Sequence, residues 1–150
     1  MLKLRPVFQT QDYRSPFDLT IEGYTNRWWD LRRSRIGDSH YDWFVFDEGG
    51  TEVARAEADP DARIESDYVG LTTPRDVVDV IFFEVRSEYR RRGIGTDAAA
   101  LLVDQYPDRD LIAFSEQADE FWTSSDWSLH QRVDGDRAYR PLFVHHHMRE

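Results

Sequence analysis

One run of residues limits the folds open to this chain more than any other: Val77-Val78-Asp79-Val80-Ile81-Phe82-Phe83-Glu84-Val85. It is nearly continuous in apolar, mostly β-branched or aromatic residues, the pattern of a strand covered on both faces. The segment Arg90-Arg91-Arg92-Gly93-Ile94-Gly95 follows after Arg86-Ser87-Glu88-Tyr89. From Ile94 the apolar positions Ile94, Ala98, Leu101, Leu102 and Tyr106 mark one stripe of a helix, and Pro107 stands just beyond its end. A buried strand, a basic glycine turn and an amphipathic helix therefore succeed one another without a linker.

The rest of the chain supplies partners for that strand. Leu2 to Phe8 alternates weakly and reads as a first strand. Ser15-Pro16 resembles a helix start, and Ile21, Tyr24, Trp28, Trp29 and Leu31 predict one helix or two short ones between Phe17 and Arg35, stopped by Gly37. Tyr41 to Phe46 and Glu52 to Ala58, joined through Gly49-Gly50, read as a β-hairpin. Asp59 to Arg75, with Pro60, Gly70 and Pro74, is mostly loop and extends the hairpin briefly at most. Asp110 to Phe114 is another buried strand, and a short helix containing Ala118, Phe121 and Trp122 follows. Trp127 to Val133 and Ala138 to His146, around Asp134-Gly135-Asp136, close the chain as a hairpin. The order β-α-β-β-β-α-β-α-β-β predicts an α/β fold with a mainly antiparallel sheet. No repeat or proline-rich linker divides residues 1–150, so one domain is expected.

Composition narrows the chemistry. The chain has no cysteine, which excludes disulfides, thiolate metal sites and a cysteine nucleophile. No apolar run approaches the roughly 20 residues of a membrane span, and no signal-peptide pattern follows Met1, so a cytoplasmic protein is expected. A formal net charge of -10 disfavours nucleic acid as a partner and is compatible with cationic ones such as amines. Within that acidic chain Arg86, Arg90, Arg91 and Arg92 form a basic cluster.

That cluster lies where a helix begins. The first amides of a helix lack partners and carry partial positive charge, which suits an anion. Gly93 and Gly95 would let a phosphate approach closely, and forked guanidinium donors would add full charges. The competing reading is a glycine-softened turn with solvated arginines. Neither a Gly-Lys-Ser/Thr ending nor a three-glycine dinucleotide pattern is present. Tyr89-Arg90-Arg91-Arg92-Gly93-Ile94-Gly95-Thr96 instead resembles the coenzyme A signature of the GNAT N-acetyltransferase superfamily, Arg or Gln followed by x-x-Gly-x-Gly/Ala. The preceding strand, the helix Thr96 to Tyr106 and the strand Leu111 to Phe114 follow the same order.

The resemblance implies a GNAT-like fold, with a splayed parallel strand pair in a central sheet flanked by helices. A bulge near Val85 would part that strand from Leu111 to Phe114. The pantetheine arm of acetyl-CoA would pair with the backbone of Phe83, Glu84 and Val85, and the amides of Arg91, Arg92, Gly93, Ile94, Gly95 and Thr96 would hold the pyrophosphate beside Arg90. A backbone N–H of Val85 would stabilise the oxyanion as a primary amine attacks. Asp79 and Glu84 are the candidate bases. Simple alternation puts them on opposite faces, which a bulge can reset.

The family's tyrosine acid falls on Trp122 here, and Asp126-Trp127 stands where Gly-Phe is usual. Indole has no proton of useful acidity, so either Ser124 or Ser115 hydrogen-bonds the leaving sulfur or the pantetheine, or the thiolate departs unassisted at neutral pH. His145-His146-His147 cannot converge on one ion along a strand, so no metal is expected. Trp28-Trp29 reads as packing or cleft lining, and Arg32-Arg33 as a solvated face. Three functions stay open: an acetyltransferase acting on an amine of a small molecule, peptide or protein, a coenzyme-binding sensor or adaptor without catalysis, and a purely structural role without coenzyme. Members of the superfamily are commonly homodimers, but the sequence carries no interface signature.

Overall fold

The computed structural model describes residues 1–25, 36, 41–64, 68–71, 75–115, 118–135 and 140–147. Among them are the strands β1 (Leu2–Val7), β2 (Asp42–Glu48), β3 (Thr51–Ile64), β4 (Arg75–Val85), β5 (Leu111–Phe114), β6 (Ser128–His130) and β7 (Leu142–His145). They form one sheet in the order β1-β2-β3-β4-β5-β7-β6. Every neighbouring pair is antiparallel except β4–β5, which is parallel. Two helices, α1 (Ile94–Asp104) and α2 (Asp119–Ser124), complete the described regular structure with a single 3-10 turn at Ser87–Tyr89.

Local chemistry accounts for the connections. Gly49 and Gly50 have φ of 59° and 82°, the two left-handed residues of the tight turn that matches strand twist. Strand β3 runs well beyond the expected hairpin, to Ile64, despite Pro60. Its register against β4 shifts between Asp59 and Ala62, and Pro60 falls at that irregularity, where a missing amide does not break the ladder.

The core explains the apolar run. Val78, Val80, Phe83 and Val85 of β4 pack on one face with Ile94, Ala98, Leu102 and Trp122 of the helices. Val77 faces the other way, with Ile64, Leu71, Ile112, Leu142 and Val144, and Phe82 packs there against Phe17 and Val45. Both faces of β4 are thus covered, as continuous hydrophobicity requires.

The helix expected from Phe17 does not form over the described part of that stretch. Residues 17–25 are turns and bends, while 26–35, with Trp28, Trp29, Arg32 and Arg33, lie outside the described residues. The reason is competition for the backbone. Asp18 accepts from the amide and hydroxyl of Thr20 at 2.9 and 2.6 Å, and Gly23 adopts φ 101°. Arg55 donates to the Asp18 carbonyl and Arg86 to that of Glu22, so side chains hold groups a helix would need. Burial, with Glu52 beside it, pushes the Tyr24 phenol up in the same layer.

Candidate active site

The site grows from one extra residue. Strand β4 pairs with β3 as Glu57↔Phe82 and then Ala58↔Val80, so Ile81 is a bulge with no partner of its own. With β5 the strand pairs only at Val78↔Leu111 and Asp79↔Ile112. Past the bulge the two strands diverge, and β5 continues along β7. The bulge therefore stands at the apex of a V.

The backbone direction along the V follows from register. Arg86 N–H donates to the Val53 carbonyl at 2.8 Å, so Glu84 and Phe82 also turn their backbone groups toward β3. Val85 and Phe83, alternating with them, present their N–H and C=O groups to the open side. The bulge also resets the side-chain phase. Asp79, neighbouring Val78 and Val80, points away from the helices, and so does Glu84, neighbouring Phe83 and Val85. The two carboxylates share a face.

Two cavities occupy the V. The smaller, about 330 Å³, is lined by Val80 to Glu84, Phe114, Trp122 and Thr25, among others. The larger and more open one, about 1090 Å³, is lined by Phe83, Glu84 and Val85 on one side and by Arg90, Arg91, Gly93, Gly95 and Thr96 at the start of α1. Phe83, Glu84, Ala118 and Phe121 border both. The turn into α1 is unusual: Arg91 and Gly93 have φ of 64° and 74°. Gly93 is there for that left-handed conformation, since a Cβ on it would meet nothing within 4 Å. Gly95 has another reason. A Cβ there would lie 2.8 Å from the Phe121 ring, so this glycine, which also lines the larger cavity, makes room for α2.

The arginines divide. Arg90 and Arg91 line the larger cavity. Arg92 stacks on Tyr89 at 5.4 Å and, with Ile94, lines a separate groove along α1 beside Glu48 and Asp97. Ile94 is itself buried in the core. Arg86 is fastened to the Glu22 and Glu52 carbonyls at 2.9 Å and serves the scaffold.

The carboxylates also differ. Glu84 accepts the Thr25 amide at 3.0 Å and the Thr25 hydroxyl at 2.8 Å, and Arg90 Nη2 lies 3.4 Å from its Oε2. Asp79 sits one step behind the apex, opposite Asp59. Burial, with Asp59 adding repulsion, pushes its carboxyl up to about 6. It is not among the residues lining either cavity of the V.

Neither serine has a free hydroxyl proton. Ser115 accepts from the Ala118 amide at 3.0 Å and donates to Asp119 at 2.6 Å, and Ser124 donates to the Phe121 carbonyl at 3.0 Å. Trp122 is buried, 4.6 Å from Trp127 between ring centroids. Asp126 takes φ 67°, and the Trp127 and Asp126 amides return to the Trp122 and Thr123 carbonyls at 3.1 and 3.2 Å. This left-handed helix stop is the one a glycine would make.

The contribution of Thr25 has no signal in the sequence. Phe121 could have been paired with Gly95 only by knowing how α2 crosses α1. Among the described residues no group of three or more His, Cys, Asp or Glu is placed to hold a metal, and no helix is long and apolar enough to cross a membrane. His146 meets His130 instead, Nε2 to Nε2 at 3.0 Å.

The model of the acetyltransferase (GNAT) family matches residues 6–125. No curated protein matches. Among solved structures, the Bacillus subtilis N-acetyltransferase YlbP in complex with coenzyme A is 16% identical, with a TM-score of 0.52 over 69% of this chain and 66% of that one. Arabidopsis thaliana NAA60 in complex with acetyl-CoA is 13% identical, with a TM-score of 0.53 over 97% and 98%. A chain of the KacTA-DNA complex is 11% identical, with a TM-score of 0.61 over 97% and 92%. Identities this low speak for the fold. The expectation against a nucleic-acid partner rests on net charge alone.

Proposed function

The chain belongs to the GNAT acetyltransferase family, and on that premise we propose that it transfers acetyl from acetyl-CoA to a primary amine by direct attack. One observation carries the proposal. The β4 edge exposed by the Ile81 bulge leads straight from the smaller cavity to the glycine turn at the head of α1. The open-side groups of Phe83 and Val85 suit the amides of pantetheine, added as a partial strand. Beyond them, the α1 amides with Arg90 and Arg91 suit a pyrophosphate.

The thioester end then falls in the smaller cavity. Val85 borders the phosphate-side cavity and not this one. In this reading the oxyanion donor is therefore the N–H of Phe83, and Val85 holds the arm. Glu84, bordering both cavities, takes the amine proton directly or through water, while Asp79 is the second proton acceptor behind the apex. The thiolate leaves without a protein acid from Trp122, Ser115 or Ser124.

The test has two parts. Calorimetry with coenzyme A should give binding heat. Free-thiol release from acetyl-CoA with a panel of amines should show turnover that Glu84→Gln lowers by roughly 100-fold in kcat. The packed indole at the usual tyrosine position favours one rival, a coenzyme-binding sensor or adaptor. Tight coenzyme binding without turnover on any amine would establish that rival.

A further inference from the structure

Arg90 makes two contacts that a bound coenzyme would disturb together. Its Nε donates to the Val85 carbonyl at 3.0 Å, and its Nη2 lies 3.4 Å from Oε2 of Glu84. The first contact caps a carbonyl on the open side of β4, withdrawing it from any ligand amide laid along that edge. The second sets a full positive charge against a carboxylate at the junction of the two cavities. That contact occupies Oε2, the oxygen an incoming amine would otherwise meet. Glu84 keeps three contacts to Thr25 that do not involve Arg90, so its position does not depend on the arginine.

Arg90 is also free to leave. Its side chain is 53% exposed, and it borders the cavity at the α1 start where a diphosphate would bind. A diphosphate carries more charge than one carboxylate and matches the guanidinium fork better than a lone carbonyl does.

We infer that Arg90 is a latch across the V. In the free protein it covers the Val85 carbonyl and pairs with Glu84, and a diphosphate in the larger cavity draws it away from both. The β4 edge opens and the carboxylate is released in the same movement, so the amine meets a carboxylate clear of the arginine after the coenzyme has bound. This rests on the coenzyme reading above. It adds a positioning role for Arg90 distinct from simple attraction of phosphate.

The two roles separate with a ligand that has the arm but no phosphate. Coenzyme A and pantetheine are titrated into wild-type protein and the Arg90→Ala variant, with binding followed by calorimetry. A latch gives effects of opposite sign: coenzyme A weakens by about tenfold, while pantetheine tightens several-fold because its carbonyl partner is uncovered. Pantetheine binding that weakens or stays the same in Arg90→Ala would overturn the latch. If wild-type protein binds no coenzyme A, the coenzyme reading falls and the latch falls with it.

A double-mutant cycle supplies a second arm. Glu84→Gln should tighten coenzyme A by a few-fold in the wild-type background and change it little in Arg90→Ala. An equal gain in both backgrounds means that Glu84 merely repels phosphate, which overturns the latch.

Discussion

Phe121 lies so close to Gly95 that a β-carbon on the glycine would stand 2.8 Å from the ring's Cε1. The same ring stacks on Phe83 with centroids 5.6 Å apart, so the α1–α2 contact and the V wall are one packing unit. Gly95→Ala must push the ring toward the cavity. It should cost about 1–3 kcal/mol, as overpacking does. Thermal melts check the stability loss, and a titration should show weaker coenzyme binding. An unchanged melt would mean that Phe121 does not fill the glycine gap.

Asp79 gives a pH dependence of definite sign. Its carboxyl titrates near 6 in the folded chain, pushed up by burial and by Asp59, against roughly 3.9 when unfolded. Its contribution to stability is full below about 4 and is lost as pH rises through about 6. Asp79→Asn should therefore stabilise the protein at pH 7, by on the order of 2 kcal/mol, and have little effect near pH 4. Denaturant melts of both proteins at the two pH values measure it. A gain of equal size at both would assign the effect to packing.

Arg55 has no exposed surface and lies 2.7 Å from Glu52, with the Tyr24 ring 4.0 Å from its guanidinium. Arg55→Ala leaves the Glu52 carboxylate buried and unpaired, which should cost about 3–5 kcal/mol. It also loosens the 17–25 segment, and with it the Thr25 grip on Glu84. Urea melts read the first effect, and faster amide exchange at Thr25 reads the second.

Asp126 offers the opposite sign. Its φ of 67° is tolerated by aspartate but suits glycine better. Asp126→Gly should raise stability by about 0.5–1 kcal/mol, whereas Asp126→Ala should lower it. Matching melts of the two variants decide the point.

Residues whose neighbours in sequence are also their neighbours in space were legible from the start. The apolar run at Val77–Val85, the Gly49-Gly50 turn and the glycine-marked head of α1 depend on local geometry, and all three lie where expected. What failed depended on distant partners. Nothing within the hairpin run Glu52–Ala58 tells that Glu52, Arg55 and Glu57 are buried, because segment 17–25 and Trp43 cover them. The same cover, held by Arg55 and Arg86, replaced the first turns of a helix that periodicity favoured. At the candidate site the glycines were legible and their separate duties were not, since Phe121 reaches Gly95 only in three dimensions. The shared face of Asp79 and Glu84 required the bulge to be located, and an apolar run gives no sign of which residue it contains.

Ile81 carries a consequence beyond the bend it makes. A ladder with every rung filled has no slot, and an even two-residue alternation would send Glu84 to the helix side of the sheet. Shortening β4 by that residue would be expected to zip β4 against β5 while leaving Glu84 on the face it holds, because its phase already counts the strand without Ile81. The entrance closes and the proton acceptor stays on its side. The cleft is thus a property of counting: a strand one residue too long for its neighbour.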